Sequence, residues 1–105
     1  MLFVVIGTDG PQAKSRRREL LAEHLAWVEG VMPSVRVAGP LRETADGEPC
    51  MSLYVLEAED EAAARALVAG DPYFKGGVWN TVEFRHFNAA AGTWVGGAAW
   101  LRGRA

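Results

Sequence analysis

The chain is poor in the residue types on which several large classes of protein function depend. Its 105 residues include one cysteine and two histidines, and its formal net charge is −2. A single cysteine cannot form an internal disulfide, and so few thiol and imidazole groups predict no metal site. A slightly acidic chain is a poor partner for nucleic acid. No apolar run approaches the ~20 residues of a membrane-spanning helix, so we expect no membrane partner.

The sequence also lacks the short motifs that are typical of phosphate binding, dinucleotide binding or acyl transfer. It contains no P-loop and no G-x-G-x-x-G pattern, which predicts no nucleotide cofactor. Ser52 and Cys50 are candidate nucleophiles, but neither lies in a G-x-S-x-G elbow, so covalent catalysis is disfavoured. The apolar start of the chain, residues 1–7, lacks the basic leader and the length of a signal peptide, so a cytoplasmic location is expected.

What the sequence does contain is enough apolar material for one small folded domain. Half of its residues are hydrophobic, which excludes a disordered chain. A folded monomer of this mass exposes about 5,800 Å², which leaves a core of modest size. Association with a second copy would enlarge that core.

Apolar runs separated by turn signals predict the order β-α-β-β-α-β. The predicted strands are residues 2–6, 35–38, 51–58 and 78–87, and the predicted helices are 14–30 and 61–69. On the first helix, Leu21, Leu25 and Val28 recur at helical spacing and are predicted to face the core, with Ser15 as the N-cap. Asp60 is the predicted N-cap of the second helix. This order is the ferredoxin-like α+β arrangement, a four-stranded antiparallel sheet with two helices on one face.

Both faces of the predicted sheet are apolar, although two helices cover only one of them. The alternating pairs are Leu53 with Val55 against Tyr54 with Leu56, and Val82 with Phe84 against Trp79 with Phe87. A large uncovered apolar face is typical of an interface, so we predict a homodimer that forms through the sheet. The alternative is that the Gly- and Ala-rich tail, which carries Trp94 and Trp100, folds back over the sheet.

A second stripe on the first helix carries the candidate chemistry. Arg17, Leu20, His24 and Trp27 share one face of that helix. An imidazole exchanges protons near neutral pH, so His24 and His86 are both candidates for acid/base work, although a lone histidine is also common in a purely structural role. Arg17 is a candidate for binding an anion, or one of three solvated basic residues in the run 16–18.

Two aspartates follow predicted secondary-structure elements and extend the set of candidates. Asp71 precedes Pro72, which holds it extended at a rigid corner suited to orienting an imidazole. The alternative is that the Asp71 side chain bonds the backbone amide of Tyr73 or Phe74 in a turn. Asp9 either faces a pocket at the end of the first strand or only shapes the turn that follows it.

Four short segments together resemble the YCII-related (YciI-like) family. They are HLAW at 24–27, AGPL at 38–41, SLYV at 52–55 before an acidic helix, and DPY at 71–73 followed by GV at 77–78. The resemblance covers residues 1–88, which we take as the domain, and leaves 89–105 as a C-terminal extension. It implies a ferredoxin-like fold of the dimeric α+β barrel type.

The resemblance also implies an active site built around a histidine and an aspartate, which match His24 and Asp71. Asp9, Arg17 and Ser52 match frequent family residues and are therefore expected to bind substrate. Many members of the family have an arginine three residues before the histidine, and this chain has Leu21 there.

These residues support a small-molecule enzyme without a cofactor, of the lyase or isomerase type. His24 would act as general acid or base, and Asp71 would hold its tautomer and favour the imidazolium. Trp27, Tyr73 and Trp79 are candidates to line an apolar pocket for a cyclic substrate. The alternative is a non-catalytic dimeric module that binds a small molecule, and a third reading is a cofactor-free monooxygenase.

Overall fold

The computed structural model describes residues 1–101, in which a sheet and its helices account for residues 2–87. The strands are β1 Leu2–Asp9, β2 Val35–Arg42, β3 Pro49–Glu57 and β4 Trp79–Phe87, and the helices are α1 Ala13–Gly30, α2 Glu61–Ala69 and the one-turn α3 Pro72–Lys75. The tail adds two short strands, β5 Ala91–Gly92 and β6 Gly97–Ala98.

The four long strands form one antiparallel sheet in the order β2-β3-β1-β4. All three helices contribute to the core on one face of this sheet, through Ala13, Val68 and Tyr73. The fully buried side chains of Val5 and Leu56 come from the two central strands. The predicted ferredoxin-like α+β fold is therefore confirmed, with strands β1 and β2 longer than the apolar runs that predicted them.

The predicted core stripe of α1 is wrong. Leu21 and Leu25 are 48% and 50% exposed, whereas Leu20 and Trp27 pack against the core. The side of α1 that faces the sheet is therefore the stripe that also carries His24. Hydrophobic spacing alone selects the leucines, but polar side chains can take the inner face where buried partners satisfy them. The Ser15 N-cap is also wrong, because Gln12 occupies that position and Ser15 donates to the Gln12 carbonyl.

A β-bulge moves Trp79 from the face predicted for it. Thr81 pairs with Thr8, but the next pair joins Trp79 to Asp9, so Asn80 is an extra residue in β4. One extra residue reverses the side on which the following side chains project. Trp79 therefore joins the core on the helix side, together with Val82 and Phe84, instead of facing away from them.

Helix α2 begins and ends at the predicted residues. The Asp60 carboxylate accepts a hydrogen bond from the Ala63 amide at 2.8 Å, which confirms the predicted N-cap. Its C-cap Gly70 leads directly to Asp71, the N-cap of α3. This tight connection places the Asp71 side chain, which is fully buried, beneath α1.

The other face of the sheet carries Val4 and Ile6 opposite Val55 and Leu53, all of them partly exposed. In the tail, Trp94 is 84% exposed and Trp100 is 61% exposed, so neither indole supplies apolar cover within the chain. Residues 102–105 of the expected C-terminal extension lie outside the described residues.

None of the helices within residues 1–101 is both long and apolar enough to cross a bilayer.

Candidate functional site

A cleft of about 540 Å³ lies between α1 and strands β2 and β3. Its walls combine apolar side chains of α1 with charged and hydroxyl groups that come from several elements. The lining residues are Lys14, Arg17, Arg18, Leu21, His24, Leu25, Val28, Ala38, Gly39, Pro40, Glu48, Pro49, Ser52, Tyr54 and Tyr73. The half-exposed leucines that the sequence assigned to the core therefore form a wall of this cleft.

His24 and Asp71 meet at the inner end of the cleft wall. The imidazole Nδ1 lies 2.8 Å from Asp71 Oδ1, and the side chains are 13% and 0% exposed. A carboxylate only accepts hydrogen bonds, so Nδ1 carries the proton and donates it. No other residue among 1–101 hydrogen-bonds the ring, so Nε2 is left available on a side chain that lines the cleft.

Three donors hold the Asp71 carboxylate in place. Besides His24, the Tyr73 amide donates to Oδ1 at 2.9 Å, and the Tyr54 hydroxyl donates to Oδ2 at 2.6 Å. Burial and the nearby Asp71 charge both raise the pKa of the Tyr54 hydroxyl, which therefore remains a donor at neutral pH. The carboxylate is fixed on both oxygens and presents a constant acceptor to the imidazole.

The Tyr73 ring sets the plane of the imidazole. The two rings are parallel within 1° and their centroids are 3.8 Å apart. The Tyr73 hydroxyl donates to the Arg17 carbonyl at 3.2 Å, which ties this ring to the preceding turns of α1. Burial raises the pKa of Tyr73, and the Asp71 charge adds to that effect while Arg17 opposes it. His24 is thus held both by a hydrogen bond along its edge and by a stacked face.

A second polar cluster, formed by Asp9, Arg17, Ser52 and Trp79, lies beside the first. Arg17 donates to both carboxylate oxygens of Asp9, at 2.9 Å through Nε and 2.7 Å through Nη2. Nη2 also donates to Ser52 Oγ at 2.9 Å, and Trp79 Nε1 donates to the same oxygen at 3.3 Å. Burial lowers the pKa of Arg17, but its bond to Asp9 and the Asp9 charge outweigh burial, so the pKa is raised and the guanidinium stays charged.

The predicted site residues separate into those that line the cleft and those behind them. Arg17, His24, Ser52 and Tyr73 line it, whereas Asp9 and Asp71 bond the lining residues from outside the wall.

Trp27 has a different setting. Its ring lies edge-on to Tyr54. Its indole also packs closely against Gly70, because a Cβ added at Gly70 would lie only 3.2 Å from Trp27 Nε1. Trp27 is not part of the cleft lining, so a substrate contact by Trp27 stays a prediction.

His86, the other histidine, lies outside the cleft, 3.5 Å from Glu61 and 64% exposed. Within residues 1–101, no three His, Cys, Asp or Glu side chains are grouped as a metal ion would need.

Sequence reasoning missed Tyr54 as a site residue, although a signal was present. Ser52 and Tyr54 are two residues apart on β3, so they project from the same face of the strand. The apolar neighbours of Tyr54 predict only an apolar strand face for it. The site role of Ser52 would have placed the Tyr54 hydroxyl in the same region of the molecule.

Solved structures similar to this one include two proteins from Burkholderia. One is the 5-chloro-2-hydroxyhydroquinone dehydrochlorinase of Burkholderia phenoliruptrix in complex with 2,5-dihydroxybenzoquinone; it is 26% identical, with a TM-score of 0.77 over 89% of this chain and 97% of that one. The other is an uncharacterized NIPSNAP domain protein of Burkholderia xenovorans, 14% identical, with a TM-score of 0.46 over 88% of this chain and 99% of that one. No curated protein matches the chain significantly.

The YCII-related domain model matches residues 1–88, which include the whole sheet, all three helices and every residue of the cleft. The chain therefore belongs to the YCII-related domain family.

Proposed function

We propose that this protein is an enzyme that moves protons on a small hydroxylated ring, in a reaction of the lyase or isomerase type. His24 is the general acid or base, and Asp71 is its positioning residue. The observation that carries the proposal is the 2.8 Å contact between His24 Nδ1 and a fully buried carboxylate, at a side chain that lines a cleft.

The geometry suits proton transfer better than a structural role alone. A histidine that only filled the core would not need a free ring nitrogen in a cleft. Here Asp71 fixes the tautomer with hydrogen on Nδ1, so the Nε2 lone pair is left for substrate. When Nε2 takes a proton, the imidazolium faces a carboxylate that is already in place, so no reorganisation accompanies the charge.

The similar dehydrochlorinase supports the substrate class. The ligand in its structure is a dihydroxylated quinone ring, and its name is that of an enzyme that removes hydrogen chloride from a hydroxylated ring. The cleft of this protein has apolar walls from Leu21, Leu25 and Val28 next to polar groups at His24 and Ser52. A ring with oxygen substituents meets both requirements, because its faces are apolar and its edges exchange protons.

An elimination on such a ring balances without an oxidant or a cofactor. The starting point is the keto tautomer of the halogenated ring, in which the proton of the phenol next to the halide has moved to the carbon that carries the halide. An enol remains one double bond away from that carbon. Nε2 takes the enol proton, the O–H electron pair forms a C=O bond, and the ring double bond shifts. The halide then leaves with the electron pair of its bond to carbon, so the products are a conjugated ketone, a proton and a halide ion.

The test is chloride release from 5-chloro-2-hydroxyhydroquinone, together with exchange of ring hydrogen for solvent deuterium on 2-hydroxyhydroquinone. We expect His24→Ala to lower both rates by 10²-fold or more, which is the usual contribution of a general acid or base. His86→Ala is the matched control, because it removes the exposed histidine outside the cleft, and it should leave both rates unchanged.

Equal rates for wild type and His24→Ala would contradict the catalytic role of His24. If the wild-type protein binds these rings but neither releases chloride nor exchanges hydrogen, the non-catalytic binding module is the better description. Asp71→Asn separates positioning from catalysis, since it should lower the rates while binding of the ring is kept.

A further inference from the structure

Both hydrogen-bond acceptor sites of the Ser52 hydroxyl are occupied. Its oxygen accepts from Arg17 Nη2 and from Trp79 Nε1, both of which can only donate. A hydroxyl has two acceptor sites and one donor hydrogen. Ser52 is 6% exposed and lines the cleft, and no acceptor among residues 1–101 takes its hydrogen. This buried O–H is therefore left to donate to a ligand.

Arg17 has one free end of its guanidinium at the same place. Nε and Nη2 are engaged with Asp9 and Ser52. Nη1 carries two N–H groups, and no residue among 1–101 accepts from them. The paired carboxylate fixes the orientation of the planar guanidinium, so Nη1 is presented in a constant direction. Ser52 and Arg17 together thus offer hydrogen-bond donors and no free acceptor.

We propose that the Ser52 hydroxyl and Arg17 Nη1 form a subsite for a second oxygen of the substrate ring, a carbonyl or phenolate oxygen. The inference rests on the proposed function, in which the first oxygen exchanges its proton with His24. The Tyr73 ring centroid lies 3.8 Å from the centroid of the His24 ring and 5.4 Å from Arg17 Cζ, so both groups flank the same tyrosine ring.

The charges around the cleft favour a neutral or singly charged oxygen over a phosphate. Three cations, Lys14, Arg17 and Arg18, line it, and three carboxylates, Glu48 in the wall with Asp9 and Asp71 behind it, oppose them. Arg17, the cation inside the subsite, is already neutralised by Asp9 at 2.7 Å. A dianion would meet no net positive charge, whereas an oxygen that gains charge during proton transfer meets fixed donors.

The subsite is tested by binding of phenol, hydroquinone and phenyl phosphate, measured by calorimetry without oxygen. We expect wild-type protein to bind hydroquinone about tenfold more tightly than phenol, because only hydroquinone reaches both oxygen sites. Phenyl phosphate should bind no more tightly than phenol. Equal affinity for phenol and hydroquinone, or a strong preference for the phosphate, would overturn the proposal without any variant being made.

Ser52→Ala tests the donor directly. We expect the hydroquinone preference to fall from about tenfold to about twofold or less, while phenol binding changes little. Ser15→Ala is the matched control, because it removes an exposed hydroxyl on α1 outside the cleft, and it should keep the preference. A preference retained in Ser52→Ala would remove Ser52 from the subsite.

The two proposals fail separately. If His24→Ala abolishes proton exchange while Ser52→Ala discriminates between the two ligands as wild type does, the enzyme proposal stands and the subsite is wrong. If Ser52→Ala loses the preference while His24→Ala keeps full turnover, the oxygen subsite stands and His24 is not the base.

Discussion

At the scale of single residues, Asp71 does both things that the sequence offered as alternatives. Its Oδ1 accepts from the Tyr73 amide, as in a turn, and also from His24 Nδ1, as in a catalytic pair. A carboxylate oxygen has two acceptor sites, so the turn and the imidazole do not compete for it. The turn bond in fact holds the oxygen where the imidazole needs it.

The two tyrosines of the chain make stability sensitive to alkaline pH. Their pKa values are raised in the folded state, Tyr54 most strongly, by burial and then by the Asp71 charge. Unfolded tyrosine ionises near pH 10. Their contribution to stability is therefore complete below about pH 10. Above that, the free energy of unfolding should fall by about 1.4 kcal/mol per pH unit for each tyrosine that ionises only on unfolding.

The measurement is tyrosinate absorbance at 295 nm against pH, read beside circular dichroism. We expect the absorbance of Tyr54 to rise only as the fold is lost. Tyr73→Phe leaves Tyr54 as the sole tyrosine and isolates its signal. A rise centred at pH 10 in a chain that is still folded would show that the Tyr54 hydroxyl is not held by Asp71 as the structure has it.

At the scale of elements, the polar residues of α1 decide which face of the helix packs on the sheet. Spacing gives two stripes, one of leucines and one that mixes Arg17, Leu20, His24 and Trp27. The mixed stripe faces the sheet because Asp9 and Asp71 satisfy its polar members there, which removes the cost of burying them unpaired. The leucines then remain at the cleft, where a ligand with apolar faces would cover them.

The close approach of Trp79 to β1 depends on Gly7. A Cβ at this position would lie 2.5 Å from Trp79 Cδ2, far inside van der Waals contact. We expect Gly7→Ala to lower the free energy of unfolding by about 1–3 kcal/mol, as overpacking in a core does. Because Trp79 donates to Ser52, the same change should also weaken the preference for hydroquinone over phenol.

Urea unfolding monitored by circular dichroism gives the stability change, with Gly30→Ala as the control. Gly30 is the exposed last residue of α1, and an added Cβ there meets no atom within 4 Å. Its midpoint should not fall below that of the wild type. Similar midpoints for Gly7→Ala and Gly30→Ala would mean that Trp79 does not pack on Gly7.

At the scale of the whole molecule, the exposed surface is larger than one domain of this size normally leaves. The chain exposes 6853 Å², against about 5,800 Å² for a folded monomer of its mass. The exposed tail is part of this excess, and the uncovered sheet face with Val4, Ile6, Leu53 and Val55 is another. Because the exposed tail accounts for part of this excess, the prediction of a dimer rests on the apolar side chains of the sheet face and not on the total area.

We predict a homodimer formed through that sheet face. Sedimentation equilibrium should give twice the chain mass for the wild type. Val55→Lys should shift it toward the monomer, because it places a charge between the apolar cross-strand neighbours Val4 and Val37. Leu25→Lys is the control, since it places the same charge on α1, on the other side of the sheet. A wild-type monomer at micromolar concentration would contradict the prediction.

The sequence by itself determined the fold class and predicted most of the residues that meet at the candidate site. Local signals were sufficient for the second helix, because Asp60 and Gly70 mark its ends in any context. Composition and family motifs were sufficient to predict that His24 pairs with Asp71.

Only the tertiary structure decided which buried polar groups hydrogen-bond to one another. The inner face of α1 depends on Asp9, in the strand that precedes it, and on Asp71, which is 47 positions from His24 along the chain. The face of the sheet on which Trp79 projects depends on a bulge at Asn80, which no local sequence pattern predicts. The Tyr54 hydroxyl matters because a carboxylate from another element lies 2.6 Å away. Periodicity records how apolar a residue is, whereas buried polar partners are chosen by contacts between distant segments, and those exist only once the chain is folded.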